Sequence, residues 1–395
     1  MSRQLLVAGG GIAGLGAALA ARAAGWQVSV FEQAAAFAEV GAGLQLGPNA
    51  TRVLREWGVL DAVVAVAGIP QRLVARDVGD GRELGILPLG QAFQARYGAP
   101  YLTVHRADLH DALLAAARER EVALHTGVRV EGFVQDERAV RPQISGPREP
   151  LEGGVLVVAD GVWSALRSQV LHDGPPVASD HVAYRGLAAM ADLPPLWRAA
   201  EVTAWLGPRM HAVTYPVRAG RALNIVCVVD ETLPGDRTGW DHPAAADRAR
   251  AALSGGCGPL QELVRAVPAW GLWVLHDRPP VASAREMAQG RVALVGDAAH
   301  PMRPYLAQGA AMALEDAHRL GRLLAAVNGA DDAIDVPTAL SRYALDRWER
   351  CARVQRRSLR NGRVFHASGA LRLARDAALR LGGGRVMDVP WLYGG

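Results

Sequence analysis

The sequence predicts a mixed α/β protein of two domains, in which a sheet-rich segment interrupts a parallel-sheet domain that ends in a long helix. Its 395 residues exceed the roughly 250–300 at which a single hydrophobic core stops growing. The chain opens as strand, glycine turn, helix and strand, changes character in the middle, and returns to its first style at Arg291–Val295. We therefore expect the interrupted domain to comprise residues 1–178 and 281–395, and the insert to comprise 179–280.

The first part of the chain alternates strand and helix patterns. Leu5–Ala8 is short and apolar, Ile12–Ala24 is rich in alanine, and Val28–Phe31 favours a strand, which together predict a βαβ unit. A glycine-rich loop is predicted over Gly41–Asn49, followed by a helix through Arg55. Further along, the patterns predict a helix over Ala107–Arg120, strands over Val122–His125, Val128–Val134 and Gly154–Val158, and a surface turn or hairpin over Asp136–Glu152.

The later part of the chain contains the predicted insert and two long helical patterns. Scattered tryptophans and prolines, with alternating patches such as Ala222–Val229, predict a separate sheet. Helices are predicted over Gln308–Val327 and from Thr338 to about Phe365. In the last helix we expect a packed apolar stripe of Leu345, Trp348, Val354 and Leu359, and a solvated face carrying Arg347, Arg350, Arg353, Arg356, Arg357 and Arg360.

Charge and cysteine content exclude several classes of protein. All 43 basic residues are arginine, and against 39 acidic residues they leave a net charge of +4, which is too small for charge-driven nucleic-acid binding. Cys227, Cys257 and Cys351 form no C-x-x-C pair, so we predict neither a metal site nor a redox dithiol. The apolar run Leu5–Ala21 is short and interrupted by glycines. We therefore expect no stable membrane insertion, a cytoplasmic location, and a monomer or homodimer.

The glycines after the first strand form a dinucleotide-binding fingerprint. Gly9, Gly11 and Gly14 match G-x-G-x-x-G between a strand and a helix, and Glu32 ends the next strand, where an acid can hold ribose hydroxyls. These glycines permit a tight turn, close approach of a pyrophosphate and close packing of helix on strand, while the helix N-terminus offers N–H groups to the phosphates. Because Glu32 repels a 2′-phosphate, the pattern predicts a Rossmann-like domain that binds FAD or NAD rather than NADP.

Two further motifs narrow this choice. Asp160-Gly161 lies within Ala159–Arg167, and Gly296-Asp297 opens a segment that continues to Ala317. Together with the fingerprint, Gly41-Ala42-Gly43 and Tyr101–Leu109, they span nearly the whole chain. In this order and spacing the chain resembles the single-component flavoprotein aromatic hydroxylases of the p-hydroxybenzoate hydroxylase type. The resemblance implies tightly bound, non-covalent FAD and no separate dinucleotide domain for NAD(P)H.

The resemblance also implies roles for individual residues around FAD. Asp297 would accept the ribityl hydroxyls, Arg106 would contact FAD, and Asp160 would serve both FAD and NAD(P)H. The turn at Gly309 would aim a helix N-terminus at the flavin pyrimidine edge, where it stabilises the anionic reduced flavin. The expected cofactor-binding residues are Gly9, Gly11, Ala13, Gly14, Glu32, Gln33, Gly43, Gln45, Arg106, Val128, Asp160, Asp297, Gly309, Ala310 and Ala311.

The candidate catalytic residues are His211 and Tyr215, within the segment Met210–Arg218. This segment resembles its counterpart in the 3-hydroxybenzoate 6-hydroxylases and 6-hydroxynicotinate 3-monooxygenases, where a histidine and a tyrosine at this spacing assist substrate ionisation. At Gln45 the chain resembles the benzoate enzymes. At Pro304 it differs from them, because they carry glutamine at that position. The expected pocket residues are Gln45, Pro301, Pro304 and Tyr305, and Arg185 and Arg303 are candidates to pair a substrate carboxylate.

The resemblance implies a FAD-dependent monooxygenase for a small phenolic acid of the hydroxybenzoate or hydroxynicotinate class. NAD(P)H, with NADH favoured, would reduce FAD, O2 would form a C4a-hydroperoxide, and its distal oxygen would attack the ring. Tyr215 with His211 would ionise the phenol and so make the ring more nucleophilic. Three alternatives stay open: decarboxylating salicylate 1-hydroxylase chemistry, a flavin-binding sensor or partner protein that does not hydroxylate, and a membrane-associated quinone-ring hydroxylase.

Overall fold

The computed structural model describes residues 3–37, 41–146, 150–231, 242–244, 246–327 and 334–394. The strands, in chain order, are β1 (Gln4–Ala8), β2 (Gln27–Phe31), β3 (Gly43–Leu46), β4 (Arg72–Asp77), β5 (Glu83–Pro88), β6 (Leu102–His105), β7 (Ala123–His125), β8 (Val130–Gln135), β9 (Val140–Ile144), β10 (Val155–Val158), β11 (Val177–Ala189), β12 (Glu201–Gly207), β13 (Met210–Val217), β14 (Ala222–Asp230), β15 (His242–Ala244), β16 (Trp270–Asp277), β17 (Ala288–Gln289) and β18 (Val292–Leu294).

The helices, in chain order, are α1 (Ile12–Ala23), α2 (Pro48–Glu56), α3 (Leu60–Val66), α4 (Gln91–Tyr97), α5 (Arg106–Glu119), α6 (Ala165–Leu171), α7 (Ala246–Ala252), α8 (Gly258–Ala266), α9 (Gly309–Val327), α10 (Val336–Phe365), α11 (Gly369–Gly382), α12 (Gly384–Met387) and α13 (Pro390–Tyr393). Short 3₁₀ turns lie at Met190–Asp192, Pro195–Arg198, Ala284–Glu286, Gly296–Ala298 and Pro304–Leu306. Within the described ranges, no helix is both long enough and apolar enough to cross a membrane.

A six-stranded sheet forms the centre of the first domain, in the order β17-β18-β10-β1-β2-β7. Its neighbours pair in parallel except for β17 and β18, which are antiparallel. The central strand β1 contributes Leu5, Leu6 and Val7, which are fully buried. Because parallel strands end at the same edge of a sheet, the turns after β1, β2, β10 and β18 meet there. The predicted mixed α/β class is confirmed.

Small residues let α1 pack closely against α9. A Cβ atom added at Gly321 would lie 2.6 Å from the Cβ of Ala20, and one added at Gly16 would lie 3.3 Å from the Cβ of Ala317. The alanine-rich composition of α1 therefore serves the close approach of two helices on one face of the sheet.

The second sheet has eight strands in the order β15-β16-β11-β14-β13-β12-β4-β5. It is antiparallel except where β12 pairs in parallel with β4. Strands β4 and β5 come from before the predicted insert, so this sheet extends beyond the expected range 179–280. Local patterns did not reveal this, because Arg72 on β4 pairs with Glu201 on β12, far along the chain. The domain boundaries themselves stay predictions.

One local prediction differs from the structure, and another is confirmed. The predicted loop over Gly41–Asn49 contains β3, which pairs antiparallel with β6. The absence of a side chain at Gly43 lets Tyr215 approach closely, because an added Cβ atom would lie 2.5 Å from a carbon of its ring. The predicted excursion over Asp136–Glu152 does form a hairpin, since β9 pairs with β8, although residues 147–149 lie outside the described ranges.

The prediction for the last long helix was partly wrong. Arg347, expected on a solvated face, is only 5% exposed, whereas Leu345, expected in the packed stripe, is 62% exposed. The reason is a pair of acids on α9: Arg347 donates from Nε to Asp316 Oδ1 over 2.8 Å and from Nη1 to Glu315 Oε2 over 2.8 Å. The carboxylates of Asp316, which is fully buried, and Glu315, which is partly buried, therefore determine which face of α10 turns inward.

Candidate functional site

A cavity of about 280 Å³ lies where the edge of the parallel sheet meets the second sheet. Its walls include groups from both sheets and from the segments around them. Those discussed below are Gly11, Ala13, Gly43, Gln45, Arg106, Arg185, His211, Val213, Tyr215, Asp297, Pro301, Pro304, Gly309 and Ala310. The structure therefore brings most of the predicted cofactor, substrate and catalytic residues to one place.

The glycine turn after β1 forms a tight cradle at one end of this cavity. Gly9 has φ of +105°, and a Cβ atom there would lie 2.4 Å from the carbonyl oxygen of Ala159. A Cβ atom at Gly14 would lie 1.9 Å from the carbonyl oxygen of Gly9. Helix α1 begins at Ile12 and no side chain caps its N-terminus. The backbone N–H groups of its first turn are thus suited to the pyrophosphate of a dinucleotide, and the site fits FAD.

Glu32 lies beside this turn as predicted. Its carboxylate accepts hydrogen bonds from the backbone N–H groups of Gly10 and Ala34, both over 2.8 Å. Val128 is buried and donates its backbone N–H to the Glu32 carbonyl over 2.9 Å, so it supports the position of the acid. Gln33, also predicted to bind cofactor, is exposed and is not part of the cavity wall.

The other predicted cofactor residues lie farther along the same cavity. Asp297 follows β18 and lies close to the start of α9, where a Cβ atom at Gly309 would be 3.9 Å from Asp297 Oδ1. Gly309 and Ala310 line the cavity, whereas Ala311 is fully buried behind them. Arg106 begins α5, and its side chain lies at the wall. This end therefore combines a carboxylate, a guanidinium and a helix N-terminus.

Asp160 follows β10 at the same sheet edge. Its neighbours Ala159 and Gly161 line the cavity. Burial raises the pKa of Asp160 to about 6, and hydrogen bonding by Ser164 opposes that rise. A carboxyl group with a pKa near neutrality is common at functional sites, but its role toward FAD and NAD(P)H stays a prediction.

His211, Val213 and Tyr215 lie on one face of β13 and all line the cavity, as the two-residue period of a strand requires. The Tyr215 hydroxyl donates to the Gly43 carbonyl over 2.6 Å, and the backbone N–H of Gly43 donates to Asn224 Oδ1 over 2.8 Å. Burial raises the pKa of Tyr215 above its ordinary value. Tyr215 therefore remains protonated at neutral pH and, with Asn224, fixes the strand β3 at Gly43.

His211 has the properties of a proton acceptor. It is only 2% exposed, and burial lowers its pKa well below the ordinary value, with His366 and His181 adding to the effect. Its Nδ1 lies 2.9 Å from Nε2 of His366. A neutral imidazole that lines the cavity can accept a proton from a bound hydroxyl group.

Sequence reasoning missed three residues at this site. Asn224 is a fully buried amide on β14. It could have been identified from the sequence, because it is a polar residue within the apolar segment Ala222–Val229. His366 follows the last residue of α10, and its Nδ1 lies 2.5 Å from Asp230 Oδ1. Neither His366 nor Asp230 belongs to a local motif, because only the folded chain brings them to His211.

Three of the four predicted pocket residues line the cavity, and the fourth lies behind its wall. Pro301 and Pro304 line the cavity, and the Pro301 carbonyl accepts from Gln355 Nε2 over 3.0 Å. Gln45 also lines it, with its Oε1 accepting from the Tyr101 hydroxyl over 2.8 Å. Tyr305 lies behind the wall, with its ring centroid 5.4 Å from that of His211.

The two candidate arginines have separate environments. Arg185 lines the cavity, with its guanidinium over the Trp273 ring. Arg303 donates from Nε to Asp277 Oδ2 over 2.5 Å, and its Nη1 lies 3.1 Å from His181 Nδ1. Arg303 is not part of the cavity wall, whereas Arg185 is, so Arg185 is the better candidate to meet a substrate carboxylate.

Among the described residues, two clusters have the composition of a metal site. In the buried one, His300 Nε2 lies 2.5 Å from Asp316 Oδ2, and Arg347 is bonded to the other oxygen of that carboxylate. In the other, His181 and His366 both contact Asp230 Oδ1, over 3.0 Å and 2.5 Å. Hydrogen bonds account for both arrangements without a metal ion.

Comparison with known proteins gives consistent matches. The family model described as "FAD binding domain" matches residues 2–358. The chain is 37% identical to 3-hydroxybenzoate 6-hydroxylase of Polaromonas naphthalenivorans (strain CJ2), over 99% of this chain and 95% of that protein. It is also 37% identical to 6-hydroxynicotinate 3-monooxygenase of Bordetella bronchiseptica (strain ATCC BAA-588 / NCTC 13252 / RB50), over 89% and 90% of the two chains. A solved substrate complex of salicylate hydroxylase is similar in structure, with a TM-score of 0.82 and 26% identity over 99% and 95%.

Proposed function

This chain belongs to the family of FAD-dependent aromatic-ring hydroxylases, and on that premise we propose that it uses NAD(P)H and O2 to hydroxylate a small phenolic aromatic acid. The matches to the family model and to the two relatives confirm the family predicted from the sequence. The observation that carries the proposal is the cavity itself, in which the dinucleotide cradle at Gly11 faces the same space as His211 on β13.

Bound FAD supplies the electron and oxygen transfer, and the protein supplies position and charge. We propose that the backbone N–H groups at Gly11 and Ala13 hold the pyrophosphate and that Glu32 holds the adenosine ribose. At the other end, Asp297 would accept the ribityl hydroxyls. The N-terminus of α9 at Gly309 would place positive partial charge at the pyrimidine edge, where negative charge develops on reduction.

His211 would remove the proton from the substrate hydroxyl. A phenolate ring is a far better nucleophile than a phenol, so this transfer prepares the ring carbon for attack on electrophilic oxygen. Because the pKa of Tyr215 is raised, Tyr215 would not act as the base. Its proposed contribution is to fix Gly43, and so the wall between substrate and cofactor.

The walls near His211 favour an aromatic acid. Val213, Val226 and Leu275 give an apolar surface for a ring, and Arg185 places a guanidinium beside it. A guanidinium beside an apolar wall is suited to a carboxylate, which it can bind by two hydrogen bonds. The substrate class that we propose is therefore hydroxybenzoate or hydroxynicotinate. We also propose that the protein acts in the cytoplasm as a monomer or homodimer.

A second candidate is hydroxylation at the carboxylated carbon with loss of carbon dioxide. The structural similarity to salicylate hydroxylase favours keeping it. Both reactions would use the same cavity and the same proton acceptor, so product analysis separates them: only the second converts salicylate to catechol and carbon dioxide.

The test is to purify the FAD-loaded protein and to measure NADH and NADPH oxidation with 3-hydroxybenzoate, salicylate and 6-hydroxynicotinate. We expect one acid to accelerate oxidation, with NADH the better reductant, and to be recovered with one added hydroxyl group. Oxidation that every acid leaves unchanged, with no hydroxylated product, would favour the sensor alternative. A protein that does not retain FAD would contradict the proposal as a whole.

A further inference from the structure

A line of hydrogen bonds leads away from the cavity through three side chains. His211 Nδ1 lies 2.9 Å from His366 Nε2, and His366 Nδ1 lies 2.5 Å from Asp230 Oδ1. Exposure rises along this line, because His211 is 2% exposed, the His366 side chain 6% and the Asp230 side chain 30%. The line therefore joins a buried imidazole at the cavity wall to a carboxylate that water can reach.

The chemistry of Asp230 determines where each ring carries its proton. An ionised carboxylate only accepts hydrogen bonds, so His366 must donate from Nδ1. A neutral imidazole that donates from Nδ1 accepts at Nε2, and His211 must therefore donate from its own Nδ1. The remaining ring nitrogen of His211, Nε2, is then an acceptor, which is the state that a base at the cavity wall requires.

Asp230 is itself held in place from its other side. Arg303 Nη1 can only donate to His181 Nδ1, over 3.1 Å, so His181 donates from Nε2 to Asp230 Oδ1, over 3.0 Å. Arg209 adds an exposed guanidinium with Nε 3.9 Å from Asp230 Oδ2. Two imidazole donors thus fix the position of the carboxylate, and the exposed pair with Arg209 adds little to this.

We infer that His366 and Asp230 are positioning residues that keep His211 protonated at Nδ1 and take up the positive charge when the substrate is ionised. This inference rests on the proposed function. The O–H bond of the substrate breaks as an N–H bond forms at His211 Nε2, while the proton at His211 Nδ1 passes to His366 Nε2. The substrate becomes a phenolate, and His366 becomes an imidazolium beside Asp230. Each proton lost by one group is gained by the next, and the positive charge resides on His366 rather than on His211.

The surroundings of the line are compatible with this transfer. Burial lowers the pKa of His366 below its ordinary value, and the hydrogen bond to Asp230 only partly opposes that shift. Besides His211, the titratable and charged groups facing His366 are His181, Arg209, Asp230, Arg303 and Tyr305. His366 also lies beyond residue 358, where the family model ends. Its role is therefore an inference from the geometry of this chain.

The direct test is nuclear magnetic resonance of the FAD-loaded protein containing isotope-labelled histidine, in which ring-nitrogen shifts report the tautomer. The His211 signals are assigned by their loss in His211→Asn. We expect Nδ1 of His211 to carry the proton and Nε2 to be unprotonated at neutral pH. A His211 protonated at Nε2 would overturn the inference, whether or not the protein hydroxylates any acid.

The matched variant is Asp230→Asn. Its amide can donate to His366 Nδ1, which reverses both ring tautomers and leaves His211 with a proton on Nε2. An aspartate-to-asparagine change of this kind in a serine-protease triad costs about 10⁴-fold in turnover through the wrong tautomer. Here we expect a loss of about 10²-fold or more at neutral pH, which diminishes as rising pH ionises the substrate without help.

Two controls separate positioning from folding. Asp230→Glu keeps a carboxylate and should restore much of the turnover, whereas Arg209→Gln removes only an exposed cation and should keep the tautomer and the pH profile of the unaltered protein. Turnover is measured with 3-hydroxybenzoate, or with whichever acid of the panel is hydroxylated. A loss in Asp230→Asn that is equal at every pH would contradict the inference. A panel without product, together with the expected tautomer, would count against the proposed function alone.

Discussion

Tyr215 and His211 lie four residues apart on the same face of β13, yet their hydrogen bonds give them different chemistry. The hydroxyl of Tyr215 is directed to Gly43, whereas the imidazole of His211 is linked to His366. The sequence could predict that both reach the cavity, because the period of a strand sets which side chains share a face. It could not predict their partners, which come from β3 and from the end of α10.

This difference predicts separate effects for two variants at the residue scale. Tyr215→Phe removes the bond that fixes Gly43, so we expect hydroxylation to slow by about tenfold with a pH profile of unchanged shape. His211→Gln removes the base, so its rate should rise with pH as the substrate ionises in solution. Stopped-flow measurement of product formation across pH distinguishes the two.

The control is Tyr184→Phe, which removes a hydroxyl bonded to Glu231 in the same sheet over 2.7 Å. It should leave the hydroxylation rate near that of the unaltered protein. A Tyr215→Phe protein whose pH profile changes like that of His211→Gln would show that the tyrosine shares the role of base.

At the scale of elements, the turn after β1 depends on glycine for steric reasons. A Cβ atom at Gly14 would lie 1.9 Å from the Gly9 carbonyl oxygen, so Gly14→Ala should displace α1 from the cradle and abolish retention of FAD. The purified variant should lack the flavin absorption bands. Gly258→Ala is the matched control, because no atom lies within 4 Å of the added Cβ, and it should retain FAD fully.

The contact between α9 and α10 is an ion network that the sequence did not reveal. Asp316 is fully buried and bonded to His300, Arg347 and the backbone N–H of Gly296. Burial works against its charge, but His300 and Arg347 outweigh it and lower the pKa of Asp316 to about 2. An arginine-rich helix pattern predicts that the arginine side chains are exposed to solvent. Arg347 is buried instead, because its partners are the acids of the neighbouring helix α9.

Asp316→Asn should therefore lower the free energy of unfolding by about 3–5 kcal/mol, because it leaves buried cations without their partner. A lowered folded-state pKa means that Asp316 contributes stability above its unfolded-state pKa, and that this is lost as pH falls toward about 2. Urea unfolding between neutral and acidic pH measures both effects.

The control is Asp346→Asn, which breaks a half-exposed pair with Arg319 and should lower the free energy of unfolding by less than about 1 kcal/mol. Equal losses in the two variants would contradict this account.

For the whole molecule, the sequence was most informative where function imposes local spacing. The glycine fingerprint, Asp160 and Asp297 each follow a strand of one parallel sheet, so their meeting at one edge could be predicted. The addition of β4 and β5 to the second sheet could not, because it depends on pairing between distant segments. The same holds for His366, which contacts His211 only because a 30-residue helix ends beside β13.

The most direct test of the whole account is the source of the oxygen atom in the product. The FAD-loaded protein is supplied with NADH, heavy-isotope oxygen gas and the acid that stimulates NADH oxidation, and the product is analysed by mass spectrometry. We predict a ring hydroxylated with one oxygen atom from the gas and none from water. A product that carries oxygen from water, or NADH oxidation that yields only hydrogen peroxide with every acid tested, would contradict the assignment of this cavity as a monooxygenase site.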